Sequence, residues 1–157
     1  MKINPGFLDT LREISDRSQV PLQFCFYMGF AQGLTLDYLR RAIRQVLPTA
    51  EVNAHMPVQV YQQALNSCEL FVNPFPFGNT NGLVDTVRQG LPGVCMTGPE
   101  VHTHIDEGLF RRPCVLQKFL TENDVEKVLF EGQPEKFAAR VRELWEARCS
   151  RETEGTE

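Results

Sequence analysis

The chain lacks the features that mark most easily recognised functional classes. No apolar run approaches the roughly 18 residues of a membrane span, which excludes a transmembrane helix. No basic run or face stands out against a net charge of -4, so nucleic acid is not an expected partner. The only basic clusters are the pairs Arg40-Arg41 and Arg111-Arg112, read as solvated helix positions. The five cysteines are odd in number and widely spaced, without a Cys-x-x-Cys pair, which removes the usual zinc and redox patterns. No Ser/His/Asp or Cys/His nucleophile arrangement, P-loop or Gly-x-Gly-x-x-Gly fingerprint is present.

What remains is an ordinary globular composition with a strong alternation of helix and strand signals. Its 157 residues suffice for one domain with a proper core, taken here as residues 1–150 followed by a polar, disordered tail over 151–157. Cys25, Cys68 and Cys95 sit in or beside apolar runs and read as small buried hydrophobes. That usage fits the cytoplasm, and Met1-Lys2 leads into a helix start at Asn4-Pro5-Gly6 rather than a signal peptide.

Asn4 can cap a first helix with Pro5 at its opening position and Phe7, Leu8, Leu11 and Ile14 on one face. Residues 22–27 suggest a strand, Thr35 a cap for a helix carrying Leu36, Leu39, Ile43 and Leu47, and residues 51–55 a short strand. Pro57 begins a helix toward Cys68, residues 69–72 form the next strand, and a helix then runs to Gly90. Residues 93–96 suggest a buried strand and residues 100–110 a helix. Thr121 reads as the cap of a helix with Val125, Val128 and Leu129, and Pro134 as the start of a last helix with Phe137, Val141, Leu144 and Trp145. Short strands between helices of this length predict an α/β fold, a parallel sheet covered on both faces. Such sheets bind ligands beyond the carboxyl ends of their strands.

One segment lies at such a strand end: Asn73-Pro-Phe-Pro-Phe-Gly-Asn-Thr-Asn-Gly-Leu-Val-Asp85. A Pro-aromatic turn feeds a Gly/Asn/Thr-rich helix start, where unpaired N–H groups and the positive end of the helix dipole suit a phosphate. Asp85, in the first turns, is placed to accept hydrogen bonds from ribose hydroxyls. The simpler reading is a tight turn with a capped helix, although three polar residues, Asn79, Thr80 and Asn81, exceed what a cap needs. Both readings stay open on residue types alone.

His55 also falls at a carboxyl strand end, as either a structural residue or one that touches a nucleotide. His102, His104 and Asp106 invite a metal reading, but only His102 and Asp106 share a helix face and no further ligands complete a set. Hydrogen-bonding and surface roles are favoured there.

The segment at 73–85 closely resembles the signature of bacterial cytoplasmic N-glycosyltransferases that modify high-molecular-weight adhesins, in glycosyltransferase family 41 with the O-linked N-acetylglucosamine transferases. Met1-Lys-Ile-Asn-Pro-Gly-Phe-Leu8 and Gly98-Pro-Glu-Val-His-Thr-His-Ile-Asp-Glu-Gly-Leu-Phe110 resemble the same family in order and spacing. The resemblance implies the carboxyl-terminal, donor-binding half of a GT-B fold, a Rossmann-like parallel sheet with helices on both faces. By resemblance Lys2 contacts the donor diphosphate as the catalytic cation. Asn79, Thr80, Asn81 and Gly82 form the helix-start cradle, Asp85 binds the ribose and His55 lies near the nucleotide. The family transfers hexose from UDP-glucose or UDP-galactose to Asn in Asn-x-Ser/Thr sequons, inverting the anomeric centre, with no metal or other cofactor. Acceptor protein is implied as a partner through the missing amino-terminal half, without which the isolated chain is expected to be inactive. Two positions depart from the family pattern: Phe30, in the loop Gly29-Phe30-Ala31-Gln32-Gly33, replaces an expected polar residue, and Met96 a basic one. A second reading keeps the same fold as a non-catalytic nucleotide-binding or protein-interaction module.

Overall fold

Asn4 ties the start of the chain to its middle. Its side-chain oxygen accepts the Phe7 N–H at 3.1 Å and caps α1 (Pro5–Arg17), while its amide donates to the Phe75 carbonyl at 2.6 Å. Phe7, Leu8, Leu11 and Ile14 then follow at helical spacing and are all buried. Burying Leu11 and Ile14 completely is worth about 2–3 kcal/mol each against leaving them in water. Phe7 meets Phe75 edge to face with ring centres 5.4 Å apart, so the first helix packs directly on the Pro-aromatic turn.

The computed structural model describes residues 2–97, 101–111, 127–131, 138–139, 141–143 and 145–146. Helices and strands alternate: β1 (Cys25–Tyr27), α2 (Gly33–Val46), β2 (Glu51–Asn53), α3 (Val58–Leu65), β3 (Phe71–Val72), α4 (Thr80–Arg88), β4 (Gly93–Thr97), α5 (Val101–Arg111) and β5 (Lys127–Glu131). Every strand pairing is parallel, in two hydrogen-bonded sets ordered β1-β2 and β3-β4-β5. This is the Rossmann-like α/β arrangement expected from the alternation. A cavity of about 560 Å³ lies between the sets, with Phe26, Tyr27 and Met28 on one wall and Phe71 and Val72 on the other.

Four expectations are corrected. The second helix starts at Gly33 after Gln32, not at a Thr35 cap, because Gly33 takes φ +53° and turns the chain into the helix three residues sooner. Val128 and Leu129 belong to β5, not to a helix. The apolar run 128–130 is too short for periodicity to separate helix from strand, and pairing along β4 satisfies its backbone in the sheet. Cys25 is exposed rather than buried, since alternation along β1 turns Phe26 inward and its neighbours outward. Arg40, expected to be solvated, instead donates from Nε to the Val52 carbonyl at 3.1 Å and pins α2 to β2.

The expected cap Thr121, with Val125, Phe137, Leu144 and the tail at 151–157, lies outside the described residues. Residues 138–139, 141–143 and 145–146 are helical, with Val141 buried and Trp145 lining the cavity. Among the described residues no helix is long and apolar enough to cross a membrane.

Asn4→Ala removes the helix cap and the bond to Phe75 together, and the expected loss is about 1–3 kcal/mol of unfolding free energy. Urea denaturation followed by circular dichroism measures it, and an unchanged midpoint would show that Asn4 does not couple the two segments.

Candidate functional site

The 73–85 segment is shaped by a residue from outside it. Asp106, on α5, is 3% exposed, and its carboxylate meets three donors from the segment. Oδ2 accepts the Asn73 amide at 2.7 Å and the Asn79 backbone N–H at 2.8 Å, and Oδ1 accepts the Thr80 hydroxyl at 2.6 Å. Burying this carboxylate in apolar surroundings would be costly, and three hydrogen bonds offset the lost hydration. Gly78 makes the approach feasible: at φ +68° it turns the chain, and a Cβ there would run into the Asp106 carboxylate.

Helix α4 follows directly. Its first i to i−4 bond runs from Leu83 N–H to the Asn79 carbonyl at 2.8 Å, so the N–H groups of Thr80, Asn81 and Gly82 precede it and have no partner within the helix. The three polar side chains expected to supply a cap supply none. Asn79 makes no side-chain cap bond and Thr80 is committed to Asp106, while Asn81 is exposed. Gly82 is buried, and a side chain on it would strike the Asn79 amide folded over the first turn.

Lys2 arrives from the other end of the chain. Its exposed ammonium donates to the Asn79 side-chain oxygen at 2.8 Å, joining residues 77 positions apart. The Asn4 contact with Phe75 holds this approach in place. A cation, three N–H groups and the positive end of a helix dipole therefore converge on one small region, a strong arrangement for a bound anion.

Asp85, one turn further along α4, is half-buried, and its negative charge reaches Tyr61 on α3. Burial first and Asp85 second push the Tyr61 phenol up from its ordinary range. Tyr61 also packs edge to face on Tyr27 at 5.4 Å, and both line the cavity beside Asn79. The cavity's thiols are poor nucleophiles near neutral pH: partial desolvation of the otherwise exposed Cys25, then Cys68 and Glu51, push it up to about 11, and burial raises Cys68 as well. His55 is exposed, two residues beyond the end of β2, and shares no hydrogen bond or ion pair with the cradle among the described residues. The structure thus joins Lys2, Asn79 and Thr80 through direct bonds and keeps Asn81, Gly82 and Asp85 on the same short helix. It does not join His55 to them.

The same geometry engages two of the residues that invited a metal reading. Asp106 is consumed by Asn73, Asn79 and Thr80, and exposed His104 pairs instead with Glu107 at 3.1 Å. The His102 side chain lies outside the described residues, and among those described no three His, Cys, Asp or Glu groups are placed to hold a metal ion. Sequence reasoning favoured a hydrogen-bonding or surface role for Asp106 but did not connect it to the 73–85 segment. Its partners are 26 to 33 positions away, and the surplus of polar groups at 79–81 was the only local sign that a second acceptor was needed.

No model of a known protein family matches the chain. Two curated relatives from Actinobacillus pleuropneumoniae, serotype 5b (strain L20) and serotype 7 (strain AP76), are each 48% identical over 128 residues. Both are described as UDP-glucose:protein N-beta-glucosyltransferase. Over that matched stretch this chain is a relative of the protein N-glucosyltransferases. The alignment takes in 81% of the chain but spans only 20% of each relative's length. Among solved structures, a mutant O-GlcNAc transferase from Thermobaculum terrenum superposes with a TM-score of 0.53 at 17% identity, over 95% of this chain and 35% of that one. At that identity the likeness is one of fold.

Gly78→Ala is expected to destabilise the protein by at least about 2 kcal/mol, from the left-handed backbone and the collision with Asp106. Gly29→Ala is the control: a Cβ added there meets nothing within 4 Å and the backbone angle is an ordinary one. Its effect is expected to stay within about 0.5 kcal/mol. Equal thermal midpoints for the two variants would mean that Gly78 is replaceable.

Proposed function

We propose that this chain is the donor-binding unit of a hexosyltransferase, holding UDP-glucose or UDP-galactose for inverting transfer to Asn side chains of acceptor proteins. The observation that carries this is the Lys2 ammonium, 2.8 Å from Asn79 at the start of α4. When the sugar leaves, negative charge builds on the departing diphosphate. A lysine and a helix amino terminus, both already in place, stabilise that charge without needing a metal ion. Thr80, Asn81 and Gly82 supply backbone donors, Asp85 accepts from the ribose, and the neutral wall formed by Tyr27 and Tyr61 borders the base. His55 is assigned to the outer edge of the nucleotide site.

Transfer itself needs a second wall to carry the acceptor. The relatives, of whose length the matched stretch is 20%, act from UDP-glucose on protein, and that activity is what we assign to the complete polypeptide. The acceptor sequon Asn-x-Ser/Thr, the carboxyl-terminal position of this unit and a cytoplasmic setting belong to the same proposal. One observation favours the second reading, a non-catalytic interaction module: Phe30, Leu34 and Tyr38 are spaced four apart and are 100%, 88% and 71% exposed.

Calorimetric titration of the folded chain with UDP-glucose separates the two. Saturable heat at or below millimolar donor is expected, and it should vanish in Asp85→Ala. No heat at millimolar donor from folded protein would leave the interaction module as the better reading. In a complete enzyme carrying this unit, Lys2→Ala is expected to raise the barrier to transfer by about 2–4 kcal/mol, seen mainly in kcat. An unchanged kcat removes Lys2 from the chemistry.

A further inference from the structure

We infer that Asp106 is a positioning residue for the diphosphate cradle, setting which donors of α4 face the ligand. The inference rests on the donor-site reading above and adds a residue that touches no ligand itself. Asp106 holds the turn at both ends: Asn73 where the segment leaves β3, and Asn79 with Thr80 where α4 begins. One bond would anchor a loop, but bonds at both ends also fix how the first turn of the helix is rotated. Two donors that would otherwise compete for a phosphate, the Asn79 N–H and the Thr80 hydroxyl, are turned toward the protein. The N–H groups of Thr80, Asn81 and Gly82 are left for the ligand, with the Lys2 ammonium beside them.

The local packing has been arranged around this carboxylate. Gly78 lacks the Cβ that would displace it, and Asn73, 3% exposed, spends its amide on it. The backbone N–H of Asn79 goes to Asp106, while its side chain, which makes no cap bond, is the contact for Lys2. Asp106 therefore acts on the diphosphate through Thr80 and Asn79.

The test compares UDP with uridine, which lacks the phosphates, by ligand-observed NMR titration of the full chain and its variants. Thr80→Val keeps the shape but breaks the bond to Asp106, and UDP affinity is expected to fall about tenfold while uridine binding is retained. Thr80→Ser, which restores a hydroxyl, should recover most of that loss. Asp106→Ala should show the same selective loss, and the double variant Asp106→Ala/Thr80→Val should lose no more than Asp106→Ala alone, because the Thr80 bond is among those Asp106→Ala already removes. Should Asp106→Ala fail to fold, the contrast between Thr80→Val and Thr80→Ser decides. Equal losses for UDP and uridine, or unchanged UDP affinity in folded Thr80→Val, overturn the positioning role while leaving the donor site intact. Absence of UDP binding by the unaltered chain overturns the donor-site reading and this inference with it.

Discussion

A single buried carboxylate organises the functional end of this molecule. Asp106 gathers the amide of Asn73, the backbone N–H of Asn79 and the hydroxyl of Thr80, and each of these lies at a corner of the same turn. An anion buried without donors would be driven back toward water, and donors buried without an acceptor would open the loop. Together they hold a Gly-rich helix start in one shape, and the N–H groups of its first turn have no partner within the helix. The bare Cα of Gly78 accommodates this close approach, and that of Gly82 accommodates the Asn79 amide lying over the first turn.

The second constraint is that the site joins the start of the chain to its middle. Asn4 caps its own helix and, with its other side-chain atom, grips the turn at Phe75. The edge-to-face contact of Phe7 with Phe75 adds apolar packing to that polar link. Lys2 sits two residues before the cap and so is delivered to Asn79 by the same docking that buries α1. Core packing and placement of the candidate catalytic cation are one event.

Much of this was legible beforehand, for reasons that can be stated. Apolar spacing and capping residues located α1, since Asn4-Pro5 is a local signal read over four residues. The alternation of elements predicted parallel strands, and the strand-end rule picked out the 73–85 turn. Where the reading failed, the deciding contact was distant or the local pattern ambiguous. Val128 and Leu129 suit helix or strand equally until β4 offers a partner. Asp106 reads as hydrogen-bonding or surface-exposed, but its partners were out of reach because they lie 26 to 33 positions away in sequence.

The sequence by itself determined the α/β class, the anion-suited helix start and its kinship with the protein N-glucosyltransferases. These depend on residues that act within a few positions of one another, or on a motif long enough to be specific. Only the tertiary structure decided which polar side chains at 79–81 are spent internally and which donors remain. It brought Lys2 to Asn79 across 77 positions and gave the Asn79 N–H its acceptor on α5. The physical reason is that a hydrogen bond depends on distance and direction in space, and both are set only when the helices have packed.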